Sequence, residues 1–306
     1  MRSSSTDSVT EATQKSSPSQ ATNHSALAPR MADIGAISKS ASGRLAPALP
    51  MKSALYREYE KPSSLRDFVA KYGVEGAPPE AKFLAAKVMI EDCRKFSFGT
   101  LGWRENAEKR LKDGAPTKDA QMASIAQIEK KCGGDWTSML PSKDRGYELM
   151  RSPSQAGNSA AAAYLLADAV QTKSSAELAD KVAQYLSSND LPTIEQAMRS
   201  ILTVGQRMGT LPLENGASAN PFLFTHAARL AMCDLGQDCG AESLDVQGAC
   251  AAGFCNVASL EDYIRLHSST PNDFQEITRL RQLIFNSLLS GNKENVGWNV
   301  FSSIKG

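Results

Sequence analysis

Long apolar runs, net charge, histidine and aromatic rings are all scarce in this chain of 306 residues, and each shortage removes a class of function. The longest apolar stretch, around residues 160–167, stops at Asp168. Crossing a bilayer takes ~20 apolar residues, so no segment is expected to span a membrane. Lys+Arg 34 against Asp+Glu 33 leave a formal charge of +1. That is too little field to recruit DNA, RNA or an anionic membrane, and no nucleic-acid partner is expected. Aromatic residues are only 7%. β-Branched residues are also sparse beside Ala, Leu, Ser, Glu and Lys, which points to an all-α fold. No glycine-rich phosphate loop, paired-His metal helix or nucleophile elbow occurs, so no cofactor or metal is expected and no catalytic residue is identified.

What is present is enough apolar material for a core, at 42% of residues. Residues 1–50 are rich in Ser, Thr, Ala and Pro without sustained periodicity, and they read as a disordered tail. Their first thirty residues lack the apolar core of a secretory signal. Three alternatives follow: the protein stays inside, leaves by a route that needs no such signal, or is numbered from a start that omits one. A Ser-rich leader also suits an effector passed through a needle-type export machine, although a plain linker is preferred.

Order is expected from Met51. Helix punctuation recurs: Ser63 or Ser64 before LRDFVAKY with Asp67 placed to complete a capping box, Pro78 and Pro79 opening a helix, Thr117 opening another, and Asn220 with Pro221 a third. Apolar residues recur at three- and four-residue spacing in Phe83, Ala86, Ile90 and Cys93, in Met122, Ile125, Ile128 and Cys132, and in Phe274, Ile277, Leu280, Ile284 and Leu288. Helical patterns also cover 159–171, 174–186 and 193–208, joined by short links that favour antiparallel neighbours. A helix-rich part over 51–151 and another over 158–306 are expected, forming a multi-helix bundle or an irregular α-solenoid. The loop 152–158 marks the boundary. The apolar tail residues Trp298, Val300, Phe301 and Ile304 are expected to pack back on the bundle.

The most distinctive stretch is 233–255, CDLGQDCGAESLDVQGACAAGFC, which holds four of six cysteines. Its gaps of five, ten and four residues fit zinc knuckles poorly, because two thiolates must sit close together to close around the ion. Disulfides tolerate irregular spacing, and an even number suits an oxidising compartment. Bridges are preferred over zinc and over reduced thiols. Cys93 and Cys132, each inward on a helix, are the first expected pair, with Cys233–Cys250 and Cys239–Cys255 favoured for the rest.

Between Arg229 and Arg265 there is no Lys or Arg, whereas Asp234, Asp238, Glu242, Asp245, Glu261 and Asp262 are present. A basic partner or a calcium ion are conceivable, but a solvated loop ahead of a helix N-terminus is the plainer account. Among three histidines, His24 lies in the tail, His267 sits near a helix C-terminus, and His226 sits on an apolar helix face. His226 is the least weak catalytic candidate, and a carboxylate pair such as Glu58 and Asp67 is another. Trp103 and Trp136, beside loop glycines, suit core or lid packing more than ligand stacking.

AARLAMCDLGQDCG with GACAAGFCNVASLEDYIR, and SALYREYEKPSSLRDFVAKY with PPEAKFLAAKVMIEDCR, resemble the two ends of a set of uncharacterised proteobacterial helical proteins. The resemblance covers roughly residues 51–95 and 226–265, and the cysteine pattern is its most specific part. It implies a helical, exported or envelope-associated protein with paired cysteines, and it brings no activity. The expectation is therefore a noncatalytic module, periplasmic or secreted, with a protein or peptidoglycan-associated partner. An envelope hydrolase and a translocated effector are the alternatives.

Overall fold

Helix starts are fixed by short polar side chains that accept otherwise unpaired backbone N–H groups, and in the computed structural model eight helices begin this way. The structure describes residues 49–96, 105, 117–132, 143–167, 169, 175–213, 217–291, 296, 297, 300 and 301. The expectations for the tail 1–48, His24, Trp103, Trp136, Trp298 and Ile304 lie outside them.

Twelve α-helices and one two-stranded ribbon form among the described residues. The helices are α1 Ala54–Glu60, α2 Leu65–Tyr72, α3 Pro79–Lys87, α4 Lys118–Cys132, α5 Lys143–Gln155 and α6 Ser159–Leu165. They continue with α7 Ser175–Leu186, α8 Leu191–Met208, α9 Pro221–Asp234, α10 Leu244–Ala251, α11 Leu260–Tyr263 and α12 Pro271–Ser290. The fold is all-α, an irregular multi-helix bundle. Ser53 caps α1, Ser64 caps α2 and Asn220 caps α9, each accepting a backbone N–H from its own first turn. The full reciprocal box occurs at α12, where Asp273 N–H donates to Thr270 Oγ1 at 3.2 Å and Thr270 N–H donates to Asp273 Oδ2 at 3.3 Å. At Gly291 a φ of 72° ends that helix in the left-handed region, which glycine enters without a Cβ clash.

The expected stripes face inward. Phe83, Ala86, Ile277, Leu280 and Ile284 belong to one core that runs from Tyr56 to Phe301. That core crosses Asn158, so the helices on either side of the expected boundary share one interior. Val300 and Phe301 are buried in it, as is Val296 before them. A smaller core gathers Leu65, Val88, Met89, Cys93, Ile125, Ile128, Cys132 and Ala251. Here α10, from the cysteine segment, packs on α4, from the N-terminal part.

One local expectation, the loop 152–158, needs correction. Helix α5 runs to Gln155 with Pro153 in its last turn, where the ring costs only the one N–H that would reach the Leu149 carbonyl. The loop 209–220 contains an antiparallel ribbon, Leu211–Pro212 with Ser218–Ala219. Phe222 is 56% exposed, whereas Phe224, two residues on in the opening turn of α9, is buried. Among the described residues no helix is long and apolar enough to cross a membrane.

The ribbon is seated on α8 through Gly205, since a Cβ there would lie 2.5 Å from Leu211 Cγ. Both residues are buried. Gly205→Ala should therefore destabilise the protein by about 1–3 kcal/mol despite the better helix propensity of alanine. Urea unfolding checks this, and an unchanged or increased midpoint would show that the ribbon moves aside freely.

Candidate functional site

Tyr56 and Tyr59 are three residues apart on α1, so they share a face. Across from them, α3 ends at Lys87 and the chain makes one wide π-helical turn, Val88–Asp92. In a regular α-helix Asp92 would be rotated away from Lys87. The π turn brings it alongside, with Lys87 Nζ 3.3 Å from Asp92 Oδ1. Lys87 Nζ also donates to Tyr59 OH at 2.7 Å and lies 3.5 Å from Glu195 Oε1 on α8. Tyr59 OH donates to Asp92 Oδ2 at 2.5 Å, and Tyr56 OH donates to Glu195 Oε2 at 3.0 Å. One turn further along α8, Arg199 pairs with Glu91 and stacks on the Tyr164 ring, 4.1 Å from its centroid.

This cluster floors a cleft of about 360 Å³. Helices α1, α3, α8 and α9 and the π turn line it, the cysteine segment adds Gln237, Asp238, Cys239, Ser243, Leu244 and Asp245, and Pro62, Leu65, Lys131 and Leu260 complete the wall. The lining carries the carboxylates Glu60, Glu91, Asp92, Glu195, Asp238 and Asp245 against the cations Lys87, Lys131, Arg199 and Arg229. Glu60 takes a further cation from outside the lining, Lys52, at 2.7 Å, and its Oε1 also accepts from Asp238 N–H at 3.1 Å. The last contact ties the cysteine segment to α1.

Burial opposes the Lys87 ammonium, yet Asp92, then Glu195 and Tyr59, outweigh it and hold Lys87 well above its ordinary value. Burial likewise pushes Tyr56 and Tyr59 up, with Glu195 and Asp92 respectively adding to the effect. Burial also raises Glu91, against the pull of Arg199. The floor thus presents a fixed ammonium and two fixed phenols, none of them deprotonated at neutral pH. Sequence reasoning missed this cluster: Tyr56 and Glu195 are 139 residues apart, and Lys87 to Asp92 is an i to i+5 spacing that a helical wheel separates. The one available signal was a lysine and two tyrosines on faces otherwise apolar.

The six cysteines form three pairs. Cys93 bonds Cys132, with Cα atoms 5.5 Å apart, inside the smaller core. The other two pairs are local, Cys233–Cys239 and Cys250–Cys255, in place of the crossed links expected from the sequence. The reason lies in two copies of one helix ending. After α9, Gly236 takes φ 108° and its N–H donates to Cys233 O, while Gln237 N–H donates to Met232 O. After α10, Gly253 takes φ 110° and its N–H donates to Cys250 O, while Phe254 N–H donates to Ala249 O. Each left-handed glycine turns the chain back toward the last helical turn, so the next cysteine meets the one just passed. The spacing C-x-x-G before the second cysteine, in both CDLGQDC and CAAGFC, was the legible cue.

The acidic segment is largely neutralised at home. Arg281 of α12 donates to both oxygens of Asp234 at 2.6 Å and to Glu261 at 2.9 Å. Arg229 pairs with Asp245 at 2.8 Å, and Arg265 with Asp262 at 2.9 Å. Asp262 also accepts from Ala258 N–H and Ser259 Oγ ahead of α11. Among the described residues no group of three His, Cys, Asp or Glu side chains is placed to hold a metal ion. The Glu58 carboxylate is engaged by Lys71 and Tyr72, both at 3.0 Å, not by a second acid. His267 is exposed, with Nε2 2.9 Å from Asn256 Oδ1.

His226 is buried, and neither ring nitrogen meets a hydrogen-bond partner among the described residues. Its nearest ring is Phe222, edge-on at 4.6 Å. Among the described residues no serine or aspartate side chain hydrogen-bonds to it, so no hydrolytic triad is assembled there from them. Comparison with protein-family models, curated proteins and solved structures returned no match.

Lys87→Met removes the one cation between Asp92 and Glu195 and should cost about 3–5 kcal/mol in urea unfolding; a loss below about 1 kcal/mol would show the cluster to be solvated. His226 gives a pH test. Burial, then Arg229, lower its folded pKa below the ordinary value. The stability this contributes is present above the unfolded pKa and is lost as pH falls through the folded one, because the unfolded chain takes up the proton first. His226→Phe should therefore flatten the loss of thermal stability on acidification from neutral pH. An identical pH slope in the variant would exclude the effect.

Proposed function

We propose that the chain is a noncatalytic binding module of an oxidising, extracytoplasmic compartment, periplasmic or secreted, and that the cleft between α1, α8 and the cysteine segment takes its ligand. The observation that carries this reading is the state of the cleft floor: Lys87, Tyr56 and Tyr59 all spend their protons on Asp92, Glu195 or one another. A floor of that kind presents a rigid pattern of charge and recognises shape and polarity, whereas a general acid or base works best with a pKa near neutral, and Lys87, Tyr56 and Tyr59 are all held well above their ordinary values. Three disulfides support the compartment, since cytosolic thiols are kept reduced. The hydrolase alternative draws less support, because His226 stands among apolar neighbours without a partner acid.

The test is native mass spectrometry of the protein isolated from its own cell fractions, combined with thiol alkylation. Expected is extracytoplasmic protein that resists alkylation until reduced and carries a noncovalent adduct, which Leu202→Trp, at the cleft wall, displaces. Cytoplasmic protein with alkylatable thiols would refute the compartment. An adduct indifferent to Leu202→Trp would refute the cleft.

A further inference from the structure

The cleft floor has spent its donors and kept its acceptors. Lys87 has three protons, and three oxygens stand around it, from Tyr59, Asp92 and Glu195. The hydroxyl protons of Tyr56 and Tyr59 go to Glu195 and Asp92. Each of these carboxylates accepts from two described partners, and a carboxylate offers about four lone-pair sites. Open hydrogen-bonding capacity at the floor is therefore acceptor capacity.

The charges lean the same way. Lys87 faces two carboxylates, so this part of the floor carries an excess negative charge. The cations nearer the rim are engaged: Arg199 with Glu91, Arg229 with Asp245, and Lys131 with the carbonyl of Glu242. An anion entering the cleft would have to compete for each of them. A cation meets the unspent oxygens of Asp92 and Glu195, whereas the rings of Tyr56 and Tyr59 are already faced by Lys52 and Lys87, whose Nζ atoms lie 5.8 and 5.1 Å from the ring centroids.

Resting on the cleft as the binding site, we propose that its ligand presents a protonated primary amine, seated against Asp92 and Glu195 beside the Lys87 ammonium that fixes them. The amine can belong to a free alkylamine or to a lysyl side chain of a peptide, since both offer three donors on a thin apolar stem. The stem would lie against the apolar part of the wall, formed by Met198, Leu202 and Met232.

Calorimetric titration of the full chain with cadaverine, with the capped tripeptide acetyl-Gly-Lys-Gly-amide and with butyrate tests this. Expected is saturable binding of cadaverine or the lysyl peptide, weakened about tenfold or more by Glu195→Gln and by Leu202→Trp, and none by butyrate. The tighter of the two amines tells the free from the side-chain source. Should Glu195→Gln unfold, as circular dichroism would reveal, Asp92→Asn and Leu202→Trp carry the comparison. Amine binding that survives all these variants overturns the proposal, as does its absence from the native chain. Butyrate binding that Leu202→Trp abolishes would overturn the amine while leaving the cleft standing as a binding site.

Discussion

An ammonium kept away from water has to be surrounded by acceptors, and the way Lys87 meets that requirement fixes where three helices stand. Tyr59 comes from α1, Asp92 from the π turn after α3, and Glu195 from α8. Removing Lys87 leaves Asp92 and Glu195 without their shared cation in a half-dry site, which is far more costly than the intact cluster is stabilising. The same logic explains the π turn. Its wider coil is a poorer helix, and it persists where it delivers Asp92 to the lysine that Tyr59 and Glu195 meet from the other side.

Around that cluster the cysteine segment acts as a wall. Its two local disulfides each lock a helix end whose glycine turns the chain back, so the segment holds its course from α9 to α11. Asp238 N–H reaches Glu60, and Lys131 reaches the Glu242 carbonyl, which join the segment to α1 and α4. The third disulfide, Cys93–Cys132, closes the smaller core immediately after the π turn. Bridges, turn and charge cluster therefore bear on one cleft.

Much of the fold was legible because caps and stripes are local chemistry. Ser64, Asn220 and Thr270 announce helix starts within three residues, and Ile277, Leu280 and Ile284 announce a buried face at helical spacing. Inward placement of Cys93 and Cys132 was enough to pair them. The crossed pairing of the other four failed because it weighed separation and overlooked the glycine that reverses the chain three residues after Cys233 and after Cys250. The cleft was illegible for another reason. Its members come from helices far apart in the chain, from the cysteine segment and from one non-α turn, and each alone reads as an ordinary surface lysine, acid or tyrosine.

The central claim is that Lys87 is a fixed counter-ion and not a reactive amine. Carbon-13 NMR of the lysine side chains through an alkaline titration tests it directly. The account predicts that Lys87 keeps its ammonium signature after the surface lysines have lost theirs, because Asp92, Glu195 and Tyr59 outweigh its burial. A Lys87 that titrates before them would contradict the account and would make it the nucleophile or base of an enzyme.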